Sequence, residues 1–347
     1  MARVTMQRIA DELGLSRFTV ARALGGAMGV SEETRKKVVE TAQRLGYVSP
    51  GTKRAMDSFR TRNVLFLVEQ LRFTGDRYFW PRVIAGVEHA ARQRKLNVML
   101  ATVSEEQEAR GILLPPLLER AVDGALVIGE FSPSYLKILR GQEQPVVLVD
   151  IDGSDYGLDA VMTSDRGGSI LAVRHLASLG HQLVGFIGDL TYASSFRRRY
   201  QGFLEAAEEA GLAHTGTCIL EQAENHFFEP GELRTAVERL ATMPTAFLCA
   251  NDRVALALIA VLQMRGLKVP EDVSVVGFDN IELAETNLPG LTTIHVYKER
   301  MGSRAVEMLA WRLGDPEAPK ETVAIETKLV VRASTSLPTR NKVKVRD

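Results

Sequence analysis

From Asn63 onward the chain repeats one pattern: a short, unbroken apolar run, then a helix-sized stretch, then another run. The runs are VLFLV (64–68), NVMLA (97–101), GALVIG (124–129) and PVVLVD (145–150), then LVGFIG (183–188), TAFLCA (245–250) and VSVVGF (273–278). Helical stretches at 168–179, 199–211 and 251–265 separate the later ones. A strand that is apolar along its whole length has both faces covered, which is the condition of a parallel sheet flanked by helices. The runs are too many for one compact sheet. The expected fold class is α/β, with two similar doubly wound lobes facing each other across a cleft. Ligands of such sheets bind beyond the C-terminal ends of the strands. Asp150, Asp189, Asn251 and Asp279 stand there, each just after or at the end of an apolar run.

The first 48 residues follow a helical period instead. Thr5 is placed to cap a helix whose Ile9, Ala10 and Leu13 share a face, and Gly14 ends it in a tight turn. Ser16 caps a second helix that buries Val20, Ala23 and Leu24. Ser31 caps a third, with Glu32 and Glu33 favouring its dipole and Val38, Val39, Ala42 and Leu45 as its apolar stripe. Residues 49–62, SPGTKRAMDSFRTR, are basic and poor in apolar content, and read as a linker. Residues 63–340 form the core and 341–347 a polar tail. Within the core, one lobe is expected at about 63–164 and 296–325, the other at about 165–293 and 326–340.

Two short helices joined by a tight turn make a helix-turn-helix pattern, whose second helix enters the major groove of DNA. Here that helix turns Arg17, Phe18 and Arg22 outward. An arginine fork matches guanine O6 and N7, and a phenylalanine ring suits a thymine methyl. Thr5 and Ser16, at helix N-termini, suit phosphates. Thr19, beside Phe18, and Ser31 complete the candidate contacts on this head. Charge agrees with this reading: residues 1–62 hold twelve Lys and Arg against six Asp and Glu, so a head of +6 sits on a body of −6.

Other classes find little support. No GxxxxGK[ST] or GxGxxG loop is present, and no nucleophile triad or HExxH motif. Cys218 and Cys249 lack metal-like spacing, so neither a metal nor a cofactor is expected. Two cysteines, no apolar signal core in MARVTMQRIADEL and no membrane-length apolar run together point to a cytoplasmic, nucleoid-associated protein rather than an enzyme or a secreted binding protein.

The segment VTMQRIADELGLSRFTVARAL…VSEETRKKVVETAQRLGYV resembles the headpiece of the lactose-repressor/galactose-repressor family of bacterial regulators. The resemblance continues through LASLGHQLVGFIG, RRRYQGF, ANDRVALALI, VPEDVSVVGFDN and LPGLTTI, over roughly residues 3 to 337. It implies a homodimer reading a pseudo-palindromic operator, and a periplasmic-binding-protein-like core that senses a small, sugar-like molecule. It places Arg17, Phe18 and Arg22 on the recognition helix and Met56 where the family inserts a minor-groove wedge. The hinge departs from the family's pattern. YVSPG moves the proline by one residue, and Lys53 replaces a small alanine, adding a phosphate contact.

For the core, the resemblance implies effector contacts from Arg199 of RRRYQGF, Asn251 of ANDR and Asp279 of GFDN. Phe79, Trp80 and Phe227 are candidate aromatic walls, and Asp150 a further cleft acid. Arg197 and Arg198 leave an acidic or phosphorylated effector open. Val296 stands where a polar glutamine is frequent. The expected mechanism is a population shift between lobe arrangements that alters how two headpieces meet their half-sites. An alternative keeps the DNA binding and replaces the small effector with a protein co-regulator.

Overall fold

A computed structural model of the chain describes residues 5–24, 30–45, 47, 60–70, 77–214, 218–219 and 230–338. The chain divides into two compact units, Met1–Arg60 with Ala310–Pro316, and Thr61–Leu309 with Glu317–Asp347.

The first unit carries α1 (Met6–Leu13), α2 (Arg17–Leu24) and α3 (Glu32–Leu45). Each begins at a hydroxyl cap: Thr5 Oγ1 accepts from Arg8 N, Ser16 Oγ from Thr19 N, and Ser31 Oγ from Thr34 N. Gly14 closes α1 with φ near +63°, a left-handed conformation that glycine adopts without a Cβ clash. Ile9, Ala10, Val20, Ala23, Val38 and Ala42 form the buried centre. The Arg35 guanidinium donates to the Ala23 carbonyl and ties α3 to the end of α2. Two expectations for this unit need correction. Val39 is 36% exposed and lies beside the apolar stripe, and Leu24 is only partly buried. Three helices this short enclose too little volume to bury every apolar side chain.

The second unit holds two sheets. The first has the order β12-β5-β4-β3-β1-β2 and is parallel throughout. Its strands are β1 (Asn63–Glu69), β2 (Asn97–Val103), β3 (Gly124–Ile128), β4 (Val146–Val149), β5 (Asp159–Thr163) and β12 (Thr322–Ile325). The helices α4 (Trp80–Gln93), α5 (Glu105–Ala109), α6 (Pro115–Leu118) and α7 (Pro133–Arg140) connect them. The second sheet runs β13-β11-β10-β9-β6-β7, with β8 also on β6 and β13 antiparallel to β11. It comprises β6 (Leu183–Gly188), β7 (Ala213–His214), β8 (Cys218–Ile219), β9 (Ala246–Cys249), β10 (Ser274–Asp279), β11 (Thr292–His295) and β13 (Lys328–Val330). With it go α8 (Asp165–Ser178), α9 (Ser194–Glu209), α10 (Pro230–Glu238), α11 (Asp252–Met264) and α12 (Glu282–Thr286). The last helix, α13 (Lys298–Gly314), follows β11.

The chain passes between the sheets three times: after β5, after β11, and between β12 and β13. Three parallel connections restrict the two lobes to hinge-like motion about the cleft. The seven apolar runs all became strands, but only six are buried: NVMLA lies in β2 at the sheet edge, with Met99 37% and Leu100 49% exposed, because no strand covers its outer side. The strands β5, β11, β12 and β13 had no such signal. β11 (TTIH) buries two threonines whose hydroxyls are satisfied within the fold, and β12 (TVAI) is an edge strand with one face open to water. His181 is a buried staple, its ring bonded to Thr245, Ser274 and the Ser336 carbonyl. Burial holds it below the usual histidine range, so it stays neutral.

Candidate functional site

On the headpiece, α2 presents Phe18 with 70% of its surface exposed. The Arg22 guanidinium lies 5.6 Å from its ring centroid, one helical turn along, and Arg17 begins the same helix. Thr5, Ser16 and Ser31 are exposed at helix starts and Thr19 is half-buried, although their hydroxyls already serve as caps or bond one another. Lys53 and Met56 lie outside the described residues.

In the second unit a cleft of about 470 Å³, counting the space open to solvent, lies between the two sheets at their C-terminal edges. Of the residues expected in the cleft, Phe79, Trp80, Asp150, Arg199, Asn251 and Asp279 line it. Phe227 lies outside the described residues. Glu130, Tyr192, Ser195 and Phe196 also line it and were missed. Glu130 follows the GALVIG run directly, so the strand-end rule reaches it. Phe196 sits one helical turn before Arg199 and Tyr192 in the turn just ahead of α9, and neither had an independent signal.

Arg199 is the centre of the site and is only 2% exposed. Its Nε donates to Asp165 Oδ1 at 2.9 Å, one terminal nitrogen donates to the Ala250 carbonyl at 2.6 Å, and the other lies 3.2 Å from Asp279 Oδ1. The guanidinium stacks 3.9 Å from the centroid of Phe278. Burial disfavours its charge, but Asp279, Asp165 and Asp150 outweigh that and raise its pKa further. Its neighbours are engaged as well. Arg198 donates to Asp165 Oδ2 at 2.8 Å, and Arg197 to the Leu190 carbonyl and to Glu130. The arginine cluster therefore meets protein acceptors.

Asp150 and Asp279 both hold positive φ, near 65° and 108°. Side chains seldom adopt that backbone, and such strain persists where a side chain must be aimed. Asp150 is pushed up to about 7, mainly by burial and then by the charge of Asp165. Behind the wall, Asp252 is also pushed up to about 7 by burial, while accepting from Ile281 N and from Thr293 Oγ1 at 2.5 Å. Lys298 donates to the Asp279 carbonyl, and burial depresses its pKa. Asn251 caps α11 through Val254 N at 2.9 Å, which leaves its amide nitrogen as the polar group for the cavity.

Glu130 closes the cleft from the first lobe. It accepts from Ser194 N at 2.9 Å, Ser194 Oγ at 3.1 Å and Arg197 at 3.1 Å, all on the opening turns of α9 in the second lobe. Arg82 on α4 bonds Glu282 on α12 at 2.6 Å across the same divide. Among the described residues no group of three His, Cys, Asp or Glu side chains is arranged to hold a metal, and no helix is long and apolar enough to cross a membrane.

Comparison with known proteins gives two family matches: "Bacterial regulatory proteins, lacI family" over residues 5–49, and "Periplasmic binding protein-like domain" over 173–335. The HTH-type transcriptional repressor PurR of Pasteurella multocida is 30% identical over 336 residues, covering 95% of this chain and 98% of that one. Two solved structures each cover 96% of this chain and 100% of their own with a TM-score of 0.68. They are the transcriptional regulator CelR in complex with cellobiose, at 26% identity, and the lac repressor dimer bound to operator and the anti-inducer ONPF, at 25%.

Proposed function

The chain belongs to the lacI family of bacterial regulatory proteins, and from that premise we propose that α2 reads an operator while the cleft cavity holds the molecule that controls it. The chain is a DNA-binding transcriptional repressor. The observation that carries the reading of the head is the exposed Phe18–Arg22 pair on the second helix of a helix-turn-helix. Arg17 and Arg22 take guanine edges, Phe18 a thymine methyl, and the starts of α1, α2 and α3 lie along phosphates. A single head reads one half-site, so the working form is a homodimer on a pseudo-palindrome, acting in the cytoplasm on chromosomal DNA.

Binding in the cavity draws the lobes together around a ligand, and the coupling to operator affinity is of the usual size, about 1–3 kcal/mol. Arg199 acts here as a positioning residue. It fixes Asp165 and Asp279, and Asp150, Asp279, Asn251 and the aromatic walls meet the ligand. Operator selection tests the head: wild type should prefer a pseudo-palindromic promoter fragment over bulk competitor, and Arg22→Ala should lose that preference while melting as wild type does. Equal binding of all fragments by wild type would overturn this reading.

A further inference from the structure

The chemistry around the cavity is unbalanced in one direction. Each nearby guanidinium already has protein acceptors: Glu130 and the Leu190 carbonyl for Arg197, Asp165 for Arg198, and Asp165, the Ala250 carbonyl and Asp279 for Arg199. Facing Asp150 stand Asp165 from α8, Asp279 from β10, and Arg198 and Arg199 from α9. Glu130 is matched by Arg197, and Lys298 is held on the Asp279 carbonyl. Behind them Asp252 faces Lys298 and Arg199, so four carboxyls meet three cations, Arg198, Arg199 and Lys298, and one carboxyl is left without a counterpart. Asp150 Oδ1 is buried and receives no hydrogen bond among the described residues.

The walls favour the same sign. Phe79 and Trp80, edge to face with centroids 4.8 Å apart, come from the first lobe; Tyr192 and Phe196, 5.2 Å apart, come from the second. Aromatic faces attract cations, most strongly where water is displaced; Phe79 already faces Lys298 Nζ at 5.7 Å and Phe196 the Arg199 guanidinium at 5.5 Å, so Trp80 and Tyr192 are the rings for a ligand. We propose that the ligand of this cavity is a small organic cation, whose protonated nitrogen pairs with Asp150 inside the aromatic walls. This rests on reading the cavity as the effector site. An uncharged sugar stacks on the same rings but leaves the surplus charge unmatched, and a phosphate or carboxylate adds to it. The cation also couples binding to pH. It favours ionised Asp150, so a proton leaves as it binds and affinity falls as the solution becomes more acidic than pH 7.

The test is a thermal-shift and calorimetric screen of the full chain at pH 6 and pH 8. The probes are choline, agmatine, putrescine and glucosamine, against glucose, ribose, glucose 6-phosphate and gluconate. At least one cation should raise the melting temperature, bind about tenfold more tightly at pH 8 than at pH 6, and lose that binding in Asp150→Asn. Asn tolerates positive φ, so the variant keeps the backbone. Independently of any variant, calorimetry in two buffers of different ionisation enthalpy should count about half a proton released at pH 7. Stabilisation confined to uncharged or anionic probes, a cation whose binding survives Asp150→Asn, or binding without proton release would each overturn the proposal while leaving a small-effector cavity in place. Silence from every probe class would overturn the cavity reading along with it.

Discussion

Asp150→Asn should make the unliganded protein more stable. The wild-type carboxyl titrates near 7 in the folded chain against 3.8 in the unfolded one. Burial and Asp165 cause the shift. At low pH both states hold the proton and the group costs nothing. As pH rises past 3.8, the unfolded carboxyl ionises while the folded one resists, so stability is lost progressively until about pH 7 and is constant above it. The full shift corresponds to about 4 kcal/mol. Water reaching the open mouth of the cavity and small movements of Arg198 reduce this to about 2 kcal/mol. An amide carries no charge at any pH and recovers that amount above pH 7. For a unit of this size the midpoint of the core transition should rise by about 5 °C at pH 8, with a much smaller gain at pH 5. Differential scanning calorimetry of both proteins across pH 5 to 8.5 provides the comparison. A variant that melts at or below wild type at pH 8, or one equally stabilised at both ends of the range, would refute the argument that Asp150 is held strained and uncompensated for a ligand.

Four further outcomes follow from the same geometry. Glu130→Gln removes the carboxylate from the start of α9 and from Arg197, and should cost about 1 kcal/mol while enlarging the radius of gyration of the unliganded core in X-ray scattering. Gly202→Ala should cost about 1–3 kcal/mol, because a Cβ there would lie 2.3 Å from the Arg166 carbonyl oxygen where α9 crosses α8; an unchanged melting temperature would mean the helices are not in close contact. Arg22→Ala should weaken binding to the preferred operator by about 1–3 kcal/mol, read by fluorescence anisotropy, with the headpiece melting unchanged. Phe18→Ala should likewise leave stability within about 0.5 kcal/mol, since the ring is 70% exposed, and should show its loss only on DNA.

A repressor whose sensor is weakened by acid would respond to metabolites and pH together. On the proposed reading, the strained, mutually repelling carboxylates of the cavity are a stability cost retained for binding, a trade familiar at functional sites. The same cavity gives Arg199 a different character from the one its position suggests. A fork beside two other arginines reads, in the chain alone, as a grip for an acidic ligand. In the fold Asp165, Ala250 and Asp279 already occupy it, from three different elements.

The periods in the chain determined seven of the strands and the three headpiece helices by themselves. Apolar runs of five or six residues have few alternatives to a buried parallel strand, and hydroxyl caps with a glycine stop define three short helices, because both signals are local and repeat along the backbone. They also located Asp150, Asn251 and Asp279 at strand ends, since a parallel sheet aligns every C-terminal edge on one side. Tertiary structure alone decided which charges cancel. Asp165 meets Arg198 and Arg199 across 33 and 34 residues, Glu130 meets Ser194 across 64, and Arg82 meets Glu282 across 200. No local pattern encodes such meetings, because a charge is felt through space and not along the chain. The sign of the surplus left in the cleft, and hence the kind of ligand it takes, exists only once those distant side chains have been brought together.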